Sequence, residues 1–310
     1  MRKVSTILAI LLINIVVFGQ TDSTKNWSLG GDVGLNTSQV GFTNWAQGGQ
    51  NSIAGMTFLH LFANYKKDKW SWDNYTNLEY GLMQQGSDVT KKSDDLLEFG
   101  TKVGHKATEH WNYAAMVSFK SQFSKGYDYD NYVSDDIFIS DFLAPAYILA
   151  GLGMDYKPSD NLSLYVSPMT MKYTIVRDTL LAYYGAFGVQ GAEFDDAGLL
   201  IKNYETGRME LGAYLKFMYK KEIVKNVDFL TTLELYSNYL ENPQNIDVEW
   251  KVEFLMKVNS FLNASIKTHL IYDDDIDIVG SDDANGNPTY GPKTQFKEAI
   301  AVGLIYKFNN

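Results

Sequence analysis

The chain has 310 residues, no cysteine, a net charge of −10, and 14% aromatic residues against only 6 prolines. Without cysteine there is neither a disulfide nor a lipid-modified N-terminal cysteine. No basic stripe or phosphate-cradling loop points to nucleotide or nucleic acid.

Residues 1–20 read as a signal peptide: Arg2 and Lys3 lead an apolar stretch from Val4 to Phe18, with Gly19 at the cleavage region. An anchor helix is the alternative, but the run is short for a span of about 20 residues, and Ser5, Thr6 and Asn14 weaken it. Residues 21–310 then form one domain. Its longest apolar run, Leu143 to Met154, is also short and carries Pro145. An exported, aromatic-rich chain without a spanning helix favours strands.

Alternation of period two predicts twelve strands: 27–36, 51–65, 70–82, 95–105, 111–123, 147–157, 162–176, 207–220, 227–239, 246–256, 261–272 and 297–308. In the fifth, Trp111, Tyr113, Val117 and Phe119 oppose Asn112, Ser118 and Lys120. In the tenth, Val248, Trp250, Val252 and Phe254 oppose Asp247, Glu249, Lys251 and Glu253. A helix would scatter such residues around its axis. Each segment reaches the about 9–11 residues that a tilted strand needs to cross a bilayer. Pro168 interrupts the seventh and predicts a bulge.

The connections alternate in length. Short links lie at 66–69, 106–110, 158–161, 221–226 and 257–260, and longer ones at 37–50, 83–94, 124–146, 177–206 and 273–296, with 240–245 the short exception. With both chain ends in the periplasm, every tight turn is internal and every long loop external. Three long loops (124–146, 177–205 and 273–296) carry −4, −3 and −5, while the tight turns are rich in lysine. Trp27, Tyr65, Trp70, Trp72 and Trp111 lie toward the tight turns and Tyr80, Tyr239 and Tyr272 toward the other end, as two interfacial girdles. The predicted fold is all-β: a single transmembrane, antiparallel up-and-down β-barrel of about twelve strands in a bacterial outer membrane.

The last strand, Ala301-Val302-Gly303-Leu304-Ile305-Tyr306-Lys307-Phe308, resembles the C-terminal recognition strand of outer-membrane barrels, although Ala301 replaces the usual polar opening residue and Asn309-Asn310 extend past the terminal aromatic. Three further stretches resemble an outer-membrane barrel family classed as a domain of unknown function: Gly41-Phe42-Thr43-Asn44-Trp45-Ala46-Gln47-Gly48-Gly49, Ser167-Pro168-Met169-Thr170 and Gly185-Ala186-Phe187-Gly188-Val189. The resemblance implies the barrel and the membrane, and it brings no activity or catalytic residues.

The predicted lumen carries both signs: Asp32, Glu79, Glu98, Asp155, Glu210, Glu234, Glu249 and Glu253 against Lys102, Lys120, Arg208, Lys216, Lys251 and Lys267. Opposite charges in a narrow space pair across it, so the lumen is either blocked by ion pairs or open. Asp273, Asp275, Asp277 and Asp283 are calcium candidates, since calcium takes clustered oxygens, although a merely solvated loop accounts for them as well. Leu181, Tyr184, Phe187 and Val189, with Phe42 and Trp45 in the first long loop, are too apolar to sit uncovered in water. They pack within their loops, fold inward as a plug, or dock a partner or the lipid surface. Of the histidines, His269 faces the lumen on the side of Ser265, but four residues along a strand is about 13 Å, too far for proton transfer.

No catalytic residue and no cofactor is expected. The leading reading is a narrow or gated solute pore. The alternative is a plugged structural or assembly subunit binding other envelope proteins through its apolar loops, and the least favoured is a lipid hydrolase. The implied partners are outer-membrane lipid, the barrel-assembly machinery during insertion, and an envelope protein in the alternative reading.

Overall fold

The computed structural model describes residues 26–42, 49–129, 137–282 and 288–309. In chain order the strands are β1 (Trp27–Val40), β2 (Ser52–Lys67), β3 (Trp70–Gln85), β4 (Lys91–Lys106), β5 (Trp111–Ser121), β6 (Ala146–Ser159) and β7 (Leu162–Ile175). The helix α1 (Thr179–Tyr183) and the strands β8 (Glu193–Phe194), β9 (Leu200–Lys202), β10 (Gly207–Val224), β11 (Val227–Asn238) and β12 (Asp247–Lys257) follow. The chain ends with β13 (Leu262–Tyr272), β14 (Asp277–Asp282), β15 (Pro288–Pro292) and β16 (Gln295–Asn309).

Twelve of these strands, β1–β7, β10–β13 and β16, form a closed antiparallel barrel, sealed where β1 pairs with β16 from Gly30↔Asn309 to Thr37↔Val302. Closure leaves no unpaired edge, which is what a sheet needs in order to sit in lipid. All twelve expected segments are barrel strands. The outer ends of β1, β3, β4 and β16 run further than the alternation signals, so the expected loop 83–94 shrinks to the five residues between β3 and β4. There the ladder continues through Gln84, Gln85, Lys91 and Lys92, past the point where lipid selects side chains. The two hairpins β8–β9 and β14–β15 lie inside long loops.

The tight turns follow local chemistry. Asp68 and Asn226 adopt left-handed backbone (φ 53° and 67°) between β2 and β3 and between β10 and β11, a conformation that Asp and Asn tolerate better than most residues.

The side chains sort inside out. Large apolar residues face outward and are exposed, among them Trp250, Val302, Ile300 at 73% and Tyr306 at 68%. Charged residues face inward and are buried, with Glu210 at 2%, Asp155 at 3% and Lys172 at 8%. In water this arrangement would expose a continuous apolar surface, a cost that a bilayer removes, while the inward charges are compensated by pairing with one another. At the tight-turn end Trp27 packs on Tyr65 and Trp72 with ring centroids 5.2 and 5.7 Å apart, and Trp111 packs on Tyr156 at 4.9 Å. The chain is an integral β-barrel of the outer-membrane kind.

The bulge expected at Pro168 is present and shifts β7 against both neighbours, between Leu152 and Met154 on β6 and between Gly212 and Tyr214 on β10. It flips the facing of β7. Ser163, Tyr165 and Ser167 point inward before it, and Thr170, Lys172 and Thr174 after it, all of them buried. Glycines fill the tight places opposite, since a Cβ on Gly153 would run into the Val166 carbonyl oxygen and one on Gly212 into that of Ser237. Both obstacles are backbone and cannot swing away. Gly153→Ala is therefore expected to destabilise the folded barrel by about 1–3 kcal/mol, the usual range for overpacking. Urea unfolding in lipid vesicles measures it, and an unshifted midpoint would show that the bulge relaxes freely.

Candidate functional site: the lumen and its extracellular mouth

Asp32, Glu98, Lys102, Lys120, Asp155, Arg208, Glu210, Lys216, Glu234, Glu249, Lys251, Glu253 and Lys267 all lie on the barrel strands, and each makes a polar contact with another lumen group. Strand pairing sets their heights and side-chain length sets their reach. Their contacts fall into tiers.

Toward the periplasm, Lys102 lies 2.8 Å from Asp155, and Lys157 ties Asp155 to Asp73 on β3. At mid-height a chain of polar groups crosses the lumen. Tyr75 on β3 donates to Glu98 at 3.3 Å and accepts from Lys216 on β10 at 3.4 Å. Lys216 pairs with Glu234 at 2.8 Å, and Tyr214 donates to the other oxygen of Glu234 at 2.7 Å. Beside this chain, the inward-facing Ala114, Met116, Tyr165, Tyr214 and Tyr236 form a cluster inside the barrel. Nearer the outside, Lys120 on β5 reaches Glu249 on β12 at 2.6 Å, and Glu249 also takes Lys251 at 2.9 Å and His269 at 3.0 Å.

These bridges are made by side chains. A rotamer change breaks them while the ladder stays intact. Groups desolvated on this scale are tolerated because they are paired and hydrogen-bonded.

The histidines are also placed. His60 lies between Asp32 at 3.0 Å and Glu79 at 3.2 Å, while His105 packs on Trp70 and His110 on Tyr156. His269 meets Glu249 on the neighbouring strand rather than Ser265 on its own.

At the extracellular mouth the structure adds Lys172 and Asp247 to the residues singled out in the sequence. Lys172 lies 2.8 Å from Asp247, 3.7 Å from Glu210 and 3.9 Å from Asp273. Arg208 holds Asp275 at 2.7 Å and Glu241 at 3.1 Å, and donates to the Gly188 carbonyl at 3.3 Å. Among the calcium candidates, Asp273 and Asp275 thus turn toward barrel cations. Asp283 and the side chain of Asp277 lie outside the described residues. Among the described residues no three acidic or histidine side chains converge as a preformed metal site. Burial holds the Asp273 carboxyl above the usual carboxylate range, against the pull of Lys172.

The loop between β7 and β10 folds across this mouth. Asp178 caps α1 through the Leu180 and Leu181 amides, and Leu181 and Val189 are buried with Ala144, Val176 and Ala182 in a small core flanked by Phe138, Phe187 and Tyr204. Leu181, Phe187 and Val189 therefore pack within the loops. Tyr184 stays exposed, as do Phe194, Leu200 and Ile201 of the hairpin β8–β9. Phe42 is half-buried and lines, with Gln39, Val40 and Asn51, a cavity of about 540 Å³, while Trp45 lies outside the described residues.

No curated protein matches the chain. Among solved structures, the translocator domain of autotransporter NalP from Neisseria meningitidis is similar at 10% identity and a TM-score of 0.37, over 98% of this chain and 96% of that one. An outer membrane channel from Pseudomonas putida F1 is similar at 10% identity and a TM-score of 0.40, over 93% and 100%. The NanC porin is similar at 10% identity and a TM-score of 0.37, over 90% and 100%. Residues 37–127 match a family described as "Protein of unknown function (DUF3078)". That segment contains the Gly41–Gly49 motif but neither Ser167-Pro168-Met169-Thr170 nor Gly185-Ala186-Phe187-Gly188-Val189. The protein is an outer-membrane β-barrel whose stretch from 37 to 127 carries the signature of a family of unknown function.

Proposed function

We propose that the barrel is a narrow pore for small polar solutes, gated by side-chain ion pairs and preferring cations. The observation that carries this reading is the bridge from β5 to β12, where Lys120 meets Glu249 at 2.6 Å across the interior. A wall lined with charge conducts once the side-chain contacts that cross it part, the one between Tyr75 and Lys216 as well as this bridge, and no barrel strand need move. The cation preference rests on the acidic mouth and outer loops, since a mouth of one sign concentrates the opposite ion. The purified barrel in planar bilayers is expected to show small, discrete conductance steps and a cation-selective reversal potential. A folded barrel that stays electrically silent would refute the proposal.

One observation favours a second reading. The exposed apolar residues Phe194, Leu199, Leu200 and Ile201 form a surface that water alone does not favour, and another envelope protein would cover it. Repeated isolation of the barrel alone in gentle detergent would count against this.

A further inference from the structure

The cavity at the outer ends of β1, β2 and β3 differs in kind from the rest of the barrel. It measures about 540 Å³, within the about 300–1,000 Å³ of small-molecule sites. Gln39, Phe42, Asn51, Ser52, Ile53 and Gln84 are among its lining residues, and no residue described there is ionisable. The lumen below, by contrast, is lined with Asp, Glu and Lys. An uncharged site selects neither a cation nor an anion.

Strand register shows which side of the wall the cavity borders. Gln39 pairs with Ile53 and Ile53 with Gln84, so the three stand in one row across β1, β2 and β3. Leu35, Thr57 and Tyr80 form the row four residues nearer the membrane, and the ladder runs between the two rows without a shift. Rows an even number of residues apart share a face. Leu35 and Tyr80 are exposed on the lipid side, so Gln39, Ile53 and Gln84 lie on that outer side as well, about 13 Å further along the strands. Tyr80 belongs to the outer girdle. The upper row therefore stands above the hydrocarbon, at the level of the sugars that outer-leaflet glycolipids carry.

The frame of the cavity is built before any ligand arrives. The Phe42 amide donates to Asn51 Oδ1 at 2.5 Å, and the Gly86 amide donates to the Asn51 carbonyl at 2.7 Å. Asn51 thus joins the segment after β1 to the turn after β3. A Cβ on Gly49 would come within 2.7 Å of the Phe42 ring, so that ring is seated against bare backbone. What remains open is polar. Among the described residues the Gln39 carboxamide and the Ser52 hydroxyl make no hydrogen bond, and Gln84 reaches only the Asp88 carbonyl, at 3.5 Å. Carboxamides and hydroxyls each donate and accept, which is what the hydroxyls of a sugar require, and Phe42 and Ile53 offer apolar surface to the C–H face of its ring.

We propose that this cavity binds an uncharged saccharide, either the sugar of an outer-leaflet glycolipid standing beside the barrel or a free glycan at the cell surface. The whole described lining falls within residues 37–127, the stretch that carries the family signature. Binding requires neither conduction nor the exposed hairpin β8–β9, so it stands or falls apart from both readings above.

Calorimetric titration of the folded, full-length barrel, in a detergent without sugar headgroups, tests this. The two probes are maltohexaose and the delipidated core oligosaccharide of the membrane from which the barrel is purified. Saturable binding of at least one probe is expected, weakened about tenfold in Gln39→Ala/Gln84→Ala and in Phe42→Ala. The glutamine pair sits on exposed strand ends outside the Asn51 frame, so that variant stays informative if Phe42→Ala folds poorly. Intact glycolipid that survives detergent washing on the wild type and is lost from the variants identifies the membrane as the source. Binding of maltohexaose without retained glycolipid identifies a free glycan. No saturable binding of either probe would overturn the proposal, as would equal affinity in the wild type and both variants.

Discussion

Lys120→Ala and Glu249→Gln are expected to raise single-channel conductance severalfold and to shift the reversal potential in opposite directions. Lys120 and Glu249 meet at 2.6 Å across the barrel interior, and with the lysine shortened that span has no ionic bridge. What remains is Glu249 with Lys251 and His269 at its own wall, so the opening gains negative character and cation preference rises. Glu249→Gln removes the carboxylate and leaves Lys120 and Lys251 facing a neutral amide, so cation preference falls. The opposite signs are diagnostic. A barrel that merely loosened would leak in the same direction in both variants. Glu249→Gln also removes one partner from a partly buried pair, which costs about 3–5 kcal/mol when burial is complete. Since Glu249 keeps 22% of its exposure, the cost falls toward the lower end of that range. Unchanged conductance in two folded variants would remove this bridge as the gate.

The architecture was legible because two solvents wrote it. Lipid outside and a polar lumen inside impose one rule at every step of a strand, so twelve segments could be read without any structure. Pro168 even marked where the rule breaks. Where neither solvent acts, the reading stopped short. The strand ends beyond the bilayer alternate weakly, and Leu199-Leu200-Ile201 does not alternate at all, which hid the hairpin β8–β9. Lys172 escaped the lumen assignment because the bulge reverses the facing of the residues after it. The bridges themselves were not legible. Lys120 and Glu249 stand 129 positions apart, and only closure together with register brings them to one height. The charges are visible in the sequence, and their pairings arise only from the closed barrel.

The same limit governs the mouth, where Arg208 gains its importance from three segments distant in sequence. Its guanidinium joins the Gly188 carbonyl of the loop folded over the barrel, Glu241 of the loop between β11 and β12, and Asp275 beyond β13. Only a planar fork with several fixed donors holds three such partners at once. Arg208→Ala is therefore expected to free the loop between β7 and β10, raising its rate of protease cleavage about tenfold and adding slow open-state noise to the current. The small core around Leu181 and Val189 stays intact in that variant, and it sets a ceiling on the effect. Leu181→Ala attacks that second attachment, removing a buried leucine at a cost of about 2–3 kcal/mol. If the two attachments act together on one lid, the double variant cleaves faster than either single variant. Arg208→Lys keeps the charge but loses the fork, and it is expected to fall between wild type and alanine. Wild-type cleavage in Arg208→Ala would mean that the loop is held by its apolar core alone, and Arg208 would then serve only to neutralise Glu210 and Asp275.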